Sequence, residues 1–262
     1  MASGARPLLG KLADALAAVG LAGPAFRLFE RFQALGDKGP SEYGGLPLPS
    51  AYLRVITAGS ASAEAFVLTG QWAADAFIRL AEKHGRPLTP QTHVLDFGCG
   101  CGRIARHLIG KAAVSGSDLN PRLAGWCAAN LPGEFRRNGV LPPAPFADAG
   151  FDLVYSVSVF THLHEPNAKA WLDELARVVR PGGLALLTFF DEHLPQAEGF
   201  RDELAAKGFV VRHEGPEGSN LLCGYFSTDG FAKLAAPGWR LIEAVRSGES
   251  GVGQAIAVFE RV

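Results

Sequence analysis

Short apolar runs alternate with amphipathic segments between residues 92 and 190. The apolar runs predict buried strands, and apolar positions at helical spacing predict helices. The predicted strands cover residues 92–98, 113–119, 134–139, 151–160 and 183–190. The predicted helices between them cover residues 101–110, 120–131 and 167–180. Repeated strand–helix units of this kind predict a parallel sheet with helices on both faces, a doubly wound α/β fold.

The segments on either side of this region follow other patterns. The N-terminal part predicts one or two short helices in 1–40, an irregular connection at 40–62 and a helix at 63–84. The C-terminal part predicts helices at 198–207 and 228–236, strand-like pieces at 209–214 and 221–227, and a final hairpin of strands 239–247 and 253–261. We therefore expect a helical N-terminal cap over residues 1–90 and a seven-stranded, mostly parallel Rossmann-like domain over 91–262. Residues 191–227 are expected to form an insertion after the fifth strand of that sheet.

The composition allows one large folded unit or two small ones and excludes several classes of protein. Of the 262 residues, 48% are hydrophobic and 19% are charged, which permits a sizeable core and excludes a mostly disordered chain. The net charge of -1 does not indicate the excess of basic residues that binds the phosphate backbone of a nucleic acid. The sequence has no uncharged apolar run of about 18 residues or more, so we expect no transmembrane helix. Four cysteines are too few for a disulfide scaffold, which predicts a reduced, cytoplasmic protein.

The strongest chemical signal is the sequence VLDFGCGCGR at residues 94–103. A predicted strand ends near Asp96, three glycines follow at alternate positions from Gly98, and a predicted helix begins at once. Glycine allows a sharp turn and the close approach of a ligand, and the free N–H groups at a helix start favour a polar or anionic group. A dinucleotide fingerprint requires a third glycine where Arg103 stands. The observed spacing instead predicts a ligand with an amino-acid portion, whose ammonium group Asp96 receives.

Polar residues also end the next two predicted strands. Asp118 ends strand 113–119, where a carboxylate accepts hydrogen bonds from ribose hydroxyls in nucleotide-binding folds. As the alternative, Asp118 caps the helix that follows. Leu119 is expected beside an adenine face and Asn138 at an adenine edge. Since ligands of open α/β sheets bind outside the carboxyl ends of the strands, these residues predict a nucleoside site.

Histidines and cysteines supply the remaining candidate chemistry. His162 follows the fourth strand of the predicted sheet, where an imidazole can take a proton from an acceptor hydroxyl; a packing or capping role is the alternative. Cys99 and Cys101 form a Cys-x-Cys pair, which is not the usual zinc spacing, and no Cys/His set completes four ligands. We therefore predict no metal, and small buried side chains at Cys99, Cys101 and Cys127.

These features together resemble the class I S-adenosylmethionine-dependent methyltransferases of bacterial small-molecule type. The resemblance rests on VLDFGCGCGR, the acid in SGSDL, PPAPFADAGFDLVYSVSVFTHL and LARVVRPGGLALLTFF, all within residues 92–190, and extends more loosely to residue 262. It implies S-adenosylmethionine as the cofactor and S-adenosylhomocysteine as the product. The cofactor contacts that it implies are Asp96, Gly98, Cys99, Gly100, Asp118, Leu119, Asn138, Ser156 and Val157.

The resemblance also implies methyl transfer to a small-molecule acceptor, predicted at oxygen and of the sugar, lipid or secondary-metabolite type, with His162 as the catalytic base. An Asn/Asp-Pro-Pro-Tyr motif, typical of enzymes that methylate nucleobase or glutamine amides, does not follow the fourth strand, which argues against DNA as the acceptor. Residues 191–227 lie outside the shared core and are predicted on the substrate side. Three alternatives stay open: methylation of a small amine, a nicotinamide-dependent dehydrogenase, and a non-catalytic module that binds the cofactor.

Overall fold

A seven-stranded mixed sheet lies at the centre of the computed structural model, which describes residues 39–262 together with Pro24, Leu28, Arg31, Phe32 and Leu35. The strands are β1 Glu42–Tyr43, β2 Leu46–Pro47, β3 His93–Phe97, β4 Ala113–Asp118, β5 Glu134–Arg137, β6 Phe151–Ser156, β7 Val179–Phe189, β8 Phe209–His213, β9 Cys223–Phe226, β10 Trp239–Val245 and β11 Ala255–Arg261. The helices are α1 Ala51–Ala58, α2 Ala63–Lys83, α3 Ala105–Leu108, α4 Pro121–Asn130, α5 Glu165–Val178, α6 Arg201–Lys207 and α7 Thr228–Ala235. The helices predicted within residues 1–40 lie largely outside the described residues.

The strand order in the sheet is β10–β11–β7–β6–β3–β4–β5. The strands from β3 to β7 run parallel, whereas β11 is antiparallel to β7 and β10 is antiparallel to β11. Two smaller antiparallel pairs, β1–β2 and β8–β9, lie outside this sheet. The arrangement confirms the predicted doubly wound, seven-stranded and mostly parallel fold.

Apolar cores cover both faces of the sheet. Val94 packs in one core with Phe77 of α2, and the next residue of β3, Leu95, packs in the other core with Trp171 of α5. Successive side chains of a strand point to opposite faces, so both are buried here. This double burial explains why the strands are continuous apolar runs in the sequence rather than alternating ones. Because β3, β4, β5 and β6 run parallel, their carboxyl ends meet at one edge of the sheet.

Two predicted elements are shorter than expected because the backbone leaves regular geometry. The helix predicted at 101–110 is reduced to α3, since Gly102 has a φ angle of 72° that a right-handed helix does not contain. The strand predicted at 151–160 ends with β6 at Ser156, since Ser158 has a φ angle of 59°. Both departures lie at the carboxyl edge of the sheet.

The region 40–62, predicted as irregular, contains the helix α1. Its N-cap is Ser50, whose side chain accepts a hydrogen bond from the N–H of Leu53 at 3.5 Å. Its C-cap is Gly59, with a φ angle of 69° in the left-handed region. The helix thus has recognised start and stop residues, which the abundance of Gly, Pro and Ser around it obscured. No described helix combines the length and the apolar character needed to cross a bilayer.

Candidate functional site

The glycine turn after β3 is held tightly against its surroundings. The N–H of Gly98 donates to the carbonyl oxygen of Ser117 in β4 at 2.8 Å. A Cβ atom at Gly98 would lie 2.3 Å from Val159 Cγ2, and one at Gly100 would lie 2.5 Å from Thr57 Cγ2. Both glycines also have positive φ angles. A larger residue at either position would therefore displace the turn.

Asp118 connects the end of β4 to this turn. Its Oδ2 accepts a hydrogen bond from the N–H of Gly100 at 2.8 Å, and its Oδ1 accepts one from the N–H of Asn120 at 2.7 Å. Burial raises the pKa of Asp118 above its ordinary value. The cap of α4 is Asn120, whose Oδ1 accepts from the N–H of Arg122 at 3.0 Å. Each carboxylate oxygen of Asp118 has a second lone pair for another donor.

The strands on either side of β4 each present a buried oxygen that has no hydrogen-bond partner among the described residues. These atoms are Oδ2 of Asp96 and Oδ1 of Asn138. Asp96 is 3% exposed and Asn138 is 8% exposed, and burial raises the pKa of Asp96 to about 7. Buried polar atoms in folded proteins nearly always have partners. The Asp96 carboxyl also interacts with the buried Tyr155 hydroxyl of β6, so part of its hydrogen-bonding capacity is met inside the protein.

A cavity of about 840 Å³ opens at this edge, within the range of about 300–1,000 Å³ that is typical of small-molecule sites. The predicted site residues that line it are Asp96, Gly98, Cys99, Gly100, Asp118, Leu119, Asn138, Val157 and His162. Ser156 does not line it: the residue is fully buried in β6, and Ser158 borders the cavity after the turn in the backbone. The edge therefore gathers the candidate residues of four neighbouring strand ends into one site.

A family model described as a methyltransferase domain matches residues 94–183. Residues 94–183 thus match a methyltransferase domain, and the sheet has the fold of class I S-adenosylmethionine-dependent methyltransferases. The matched segment begins in β3 and ends in β7, so it contains the glycine turn, Asp118 and His162. The family resemblance inferred from the sequence is confirmed.

Curated relatives are methyltransferases, and a solved structure shares the fold. The chain is similar to a fatty-acid O-methyltransferase of Mycolicibacterium smegmatis, with 38% identity over 100 residues, which are 36% of this chain and 36% of that protein. It is also similar to an uncharacterized methyltransferase of Mycobacterium marinum, with 31% identity over 179 residues and 64% of each chain covered. The chain thus spans about a third of the first relative and less than two thirds of the second. A solved TehB-like S-adenosylmethionine-dependent methyltransferase from Corynebacterium glutamicum has the same fold, with a TM-score of 0.50 and 21% identity over 73% of this chain and 88% of that one.

The lining of the cavity suits S-adenosylmethionine, the cofactor of the family that the sequence resembles. S-adenosylmethionine has an ammonium group, a carboxylate, ribose hydroxyls and an adenine amino group, so it needs both acceptors and a cation. The unpartnered oxygens of Asp96 and Asn138 supply acceptors. Arg103 supplies a half-buried cation: it lines the cavity and donates to Thr69 Oγ1 at 3.3 Å, while partial burial lowers its pKa. The sequence analysis used Arg103 only as evidence against a dinucleotide-binding motif. The motif alone did not reveal that its side chain lines the cavity.

His162 borders the cavity with its ring orientation fixed. Its Nδ1 donates to the carbonyl oxygen of Leu222 at 2.6 Å, so the neutral ring carries its proton on Nδ1. Among the described residues, none forms a hydrogen bond with Nε2. Burial lowers the pKa of His162 below its ordinary value, which keeps the ring neutral at pH 7. A neutral imidazole with a free Nε2 is able to take up a proton.

The helix α1 forms a wall of the site that the sequence did not predict. Tyr52, Ile56 and Thr57 from this helix line the cavity. Thr57 Oγ1 accepts a hydrogen bond from the N–H of Cys101 at 3.3 Å and lies 3.1 Å from the Cys101 sulfur. The helix is therefore fastened directly to the glycine turn.

A polar network behind the cavity holds Ser158 in its left-handed conformation. The N–H of Ser158 donates to Thr188 Oγ1 at 2.9 Å, and Thr188 Oγ1 donates to Gln254 Oε1 at 2.7 Å. Gln254 Nε2 in turn donates to the Ser158 hydroxyl. Left-handed geometry is uncommon and unfavourable for a residue with a side chain, so the surrounding structure must impose it.

The cysteines near the turn are buried free thiols, at Cys99, Cys101 and Cys127. Burial raises the pKa of Cys101 to about 12, so this thiol stays protonated. Within the part of the chain that the structure describes, no three His, Cys, Asp or Glu side chains are grouped so that they could hold a metal ion.

Proposed function

We propose that this protein binds S-adenosylmethionine in the cavity at the carboxyl edge of the sheet and transfers its methyl group to an oxygen of a small-molecule acceptor. The observation that carries the proposal is the meeting of Asp96, Asp118 and Asn138, from three neighbouring strand ends, in one cavity with His162. Three acceptor side chains around one cavity match the ammonium, ribose and adenine donors of the cofactor.

The polar cofactor residues have separate roles in this proposal. The Asp96 carboxylate receives the ammonium group, and the Arg103 guanidinium receives the carboxylate of the methionine part. Asp118 accepts hydrogen bonds from the ribose hydroxyls, and Asn138 Oδ1 accepts one from the adenine amino group. The remaining contacts come from backbone and small or apolar side chains that line the cavity: Gly98, Cys99, Gly100, Leu119 and Val157.

The chemistry divides between cofactor and protein. When bound, S-adenosylmethionine supplies a methyl group that its sulfonium already makes electrophilic. The protein aligns the acceptor and excludes water, and positioning of this kind can supply ~7–11 kcal/mol. For a hydroxyl acceptor, His162 Nε2 takes the proton that the acceptor loses, and the hydrogen bond from Nδ1 to the Leu222 carbonyl stabilises the resulting cation. A base of this type contributes about 10²–10⁴-fold.

The acceptor class is proposed from the relatives and from the cavity wall. The similarity to a fatty-acid O-methyltransferase makes lipid acceptors the first choice. Apolar side chains border the cavity beside the polar ones, among them Ile56, Leu123, Val140, Leu163 and Trp171. A carboxylate acceptor is already ionised at pH 7 and needs no base, whereas a hydroxyl acceptor does. Methylation of a hydroxyl acceptor therefore requires His162 as a base, whereas methylation of a carboxylate acceptor does not.

Two measurements test the proposal. Calorimetry should show that S-adenosylhomocysteine binds and NADH does not, and Asp118→Ala should weaken the binding strongly. Transfer of labelled methyl should then be followed for straight-chain fatty acids, hydroxy fatty acids and small amines. Binding of NADH without S-adenosylhomocysteine would support a dehydrogenase instead. Tight S-adenosylhomocysteine binding with transfer only to amines would replace oxygen by nitrogen as the acceptor atom.

A further inference from the structure

The segment between β8 and β9 borders the same cavity as the glycine turn. Its residues 216–221 line the cavity together with Asp118, Leu119 and Asn138. The segment belongs to residues 191–227, which the sequence predicted on the substrate side. Its position beside Leu119 and Asn138 brings it to the side of the cavity that we assign to the nucleoside.

The contact between this segment and Leu119 is close. Gly218 has a φ angle of 71°, and a Cβ atom there would lie 2.8 Å from Leu119 Cδ2. The N–H of Gly218 donates to the carbonyl oxygen of His162 at 2.8 Å. At the end of the segment, the Leu222 carbonyl accepts the hydrogen bond from His162 Nδ1 at 2.6 Å. Residues 216–221 therefore border the cavity, although Pro216, Gly218 and Asn220 are exposed.

An ion pair fixes the same segment to the start of α5. His164 Nδ1 lies 2.5 Å from Glu217 Oε1, and the His164 N–H donates to Glu217 Oε2 at 3.2 Å. His164 Nε2 lies 3.0 Å from Glu214 Oε2. The Glu217 side chain is 19% exposed, whereas that of Glu214 is 78% exposed, so Glu217 is the better shielded partner. The segment is thus held by one ring that two of its carboxylates contact.

We propose that Glu217 is a positioning residue that, through His164, holds residues 214–221 as a movable wall over the nucleoside side of the cavity and so limits the rate at which the cofactor product leaves. This inference rests on the proposed function, because it requires S-adenosylhomocysteine to occupy the cavity. Loss of the ion pair leaves the hydrogen bond from Gly218 in place, so the wall loosens without unfolding. Dissociation should then become faster while the remaining contacts keep the protein intact.

The ion pair also gives this wall a pH dependence. Glu214 and Glu217 are the charged groups among the described residues that act on His164, and both raise the pKa of its ring above the ordinary value. The protonated ring is paired with the carboxylates below that raised pKa. As the pH rises through it, the ring loses its charge and the wall is held less strongly. The ion pair therefore contributes a dissociation rate that increases with pH, in addition to the separate effect of the Asp96 titration.

The test compares the dissociation rate of S-adenosylhomocysteine from the full-length wild type, Glu217→Gln and Glu203→Gln between pH 6 and pH 9. Tryptophan fluorescence reports the release, since Trp171 lines the cavity. Glu203→Gln is the matched control, because Glu203 lies in the same inserted segment but pairs with Lys207 and Arg212 on α6 and β8. At pH 6, Glu217→Gln should release the ligand about twofold to fivefold faster than the wild type, the range of partly exposed ion pairs. Its release should accelerate less with rising pH than that of the wild type, whereas the titration of Asp96 is common to all three proteins. Glu203→Gln should match the wild type.

The outcomes separate this inference from the proposed function. If the wild type does not bind S-adenosylhomocysteine, the proposed function fails and the positioning role fails with it. If the wild type binds, and Glu217→Gln releases the ligand at the wild-type rate with the wild-type pH profile, only the positioning role is wrong. Equal acceleration in Glu217→Gln and Glu203→Gln would assign the effect to general destabilisation and would also overturn the role.

Discussion

The protonation of Asp96 should change when the cofactor product binds. Burial raises the pKa of this carboxyl to about 7, so about half of the unliganded protein carries the proton at pH 7. An ammonium group beside the carboxyl favours its ionised form and lowers that pKa. Binding of S-adenosylhomocysteine at pH 7 should therefore release up to about half a proton from Asp96, and affinity should increase as the pH rises toward 7. Calorimetry in buffers of different ionisation enthalpy measures the released protons.

The control for this prediction is Asp96→Asn. Asp118 also has a pKa raised by burial, so the variant separates the two carboxyls. Asp96→Asn should abolish most of the proton release and weaken binding roughly tenfold or more, as expected for the loss of a hydrogen bond to a charged group. Proton release equal to that of the wild type would remove Asp96 from the ammonium site.

Substitution of His162 should affect acceptors differently. His162→Ala should lower kcat by about 10²–10⁴-fold for a hydroxy fatty acid and should change it little for a carboxylate acceptor. The pKa of His162 is below its ordinary value, so Nε2 is already free at pH 7, and the wild-type rate with a hydroxyl acceptor should rise with pH only below neutrality. Rates with both acceptors and the affinity for S-adenosylhomocysteine should be measured together. An equal loss for both acceptors would make His162 a packing residue.

At the scale of elements, close helix packing sets the position of Arg103. Gly70 is buried in α2, and a Cβ atom there would lie 2.1 Å from the backbone oxygen of Arg103. Gly70→Ala should therefore push α2 away from the turn, lower the free energy of unfolding by about 1–3 kcal/mol and weaken S-adenosylhomocysteine binding. Urea denaturation and calorimetry measure the two effects.

An exposed helical glycine provides the matched control for this packing prediction. Gly125 lies in α4, and a Cβ atom there would contact no heavy atom within 4 Å. Gly125→Ala should raise the free energy of unfolding by about 0.4–1 kcal/mol, because alanine restricts the unfolded chain and favours the helix. Destabilisation by both substitutions would show that helix packing against Arg103 is not the cause.

The elements themselves show what local sequence can and cannot reveal. The strands β3, β6 and β7 were predicted because burial on both faces makes them continuous apolar runs, whereas the edge strand β5 has only Phe135 buried. The glycines at 98, 100 and 102 marked the turn, but their positive φ angles delay the helix until Ala105, which a count of apolar positions does not detect. The helix α1 was missed although Ser50 and Gly59 are ordinary capping residues, because the composition of 40–62 outweighed them.

At the scale of the whole molecule, the predictable part of the site is the part that parallel topology brings to one edge. Asp96, Asp118 and Asn138 end neighbouring strands, so their meeting followed from the strand–helix order. Other contacts join residues far apart in sequence: 44 residues separate Thr57 from Cys101, and 60 separate His162 from Leu222. No local pattern encodes such pairings, because they depend on how the flanking segments fold back onto the sheet.

The longest of these connections reaches from the last turn of the chain to the cavity. Gln254 precedes β11 and bonds to both Thr188 and Ser158, which is 96 residues earlier. Gln254→Leu removes the oxygen that accepts from Thr188 and the nitrogen that donates to Ser158. The fully buried Thr188 hydroxyl then has no acceptor, so the free energy of unfolding should fall by about 1–3 kcal/mol. Gln254→Glu keeps that acceptor and loses only the donor to Ser158, so its loss should be smaller. The exposed Gln91→Leu should stay within about 0.5 kcal/mol of the wild type. Urea denaturation of the three variants should give this order, and an equal change in Gln254→Leu and Gln91→Leu would mean that the network does not hold Ser158 in place.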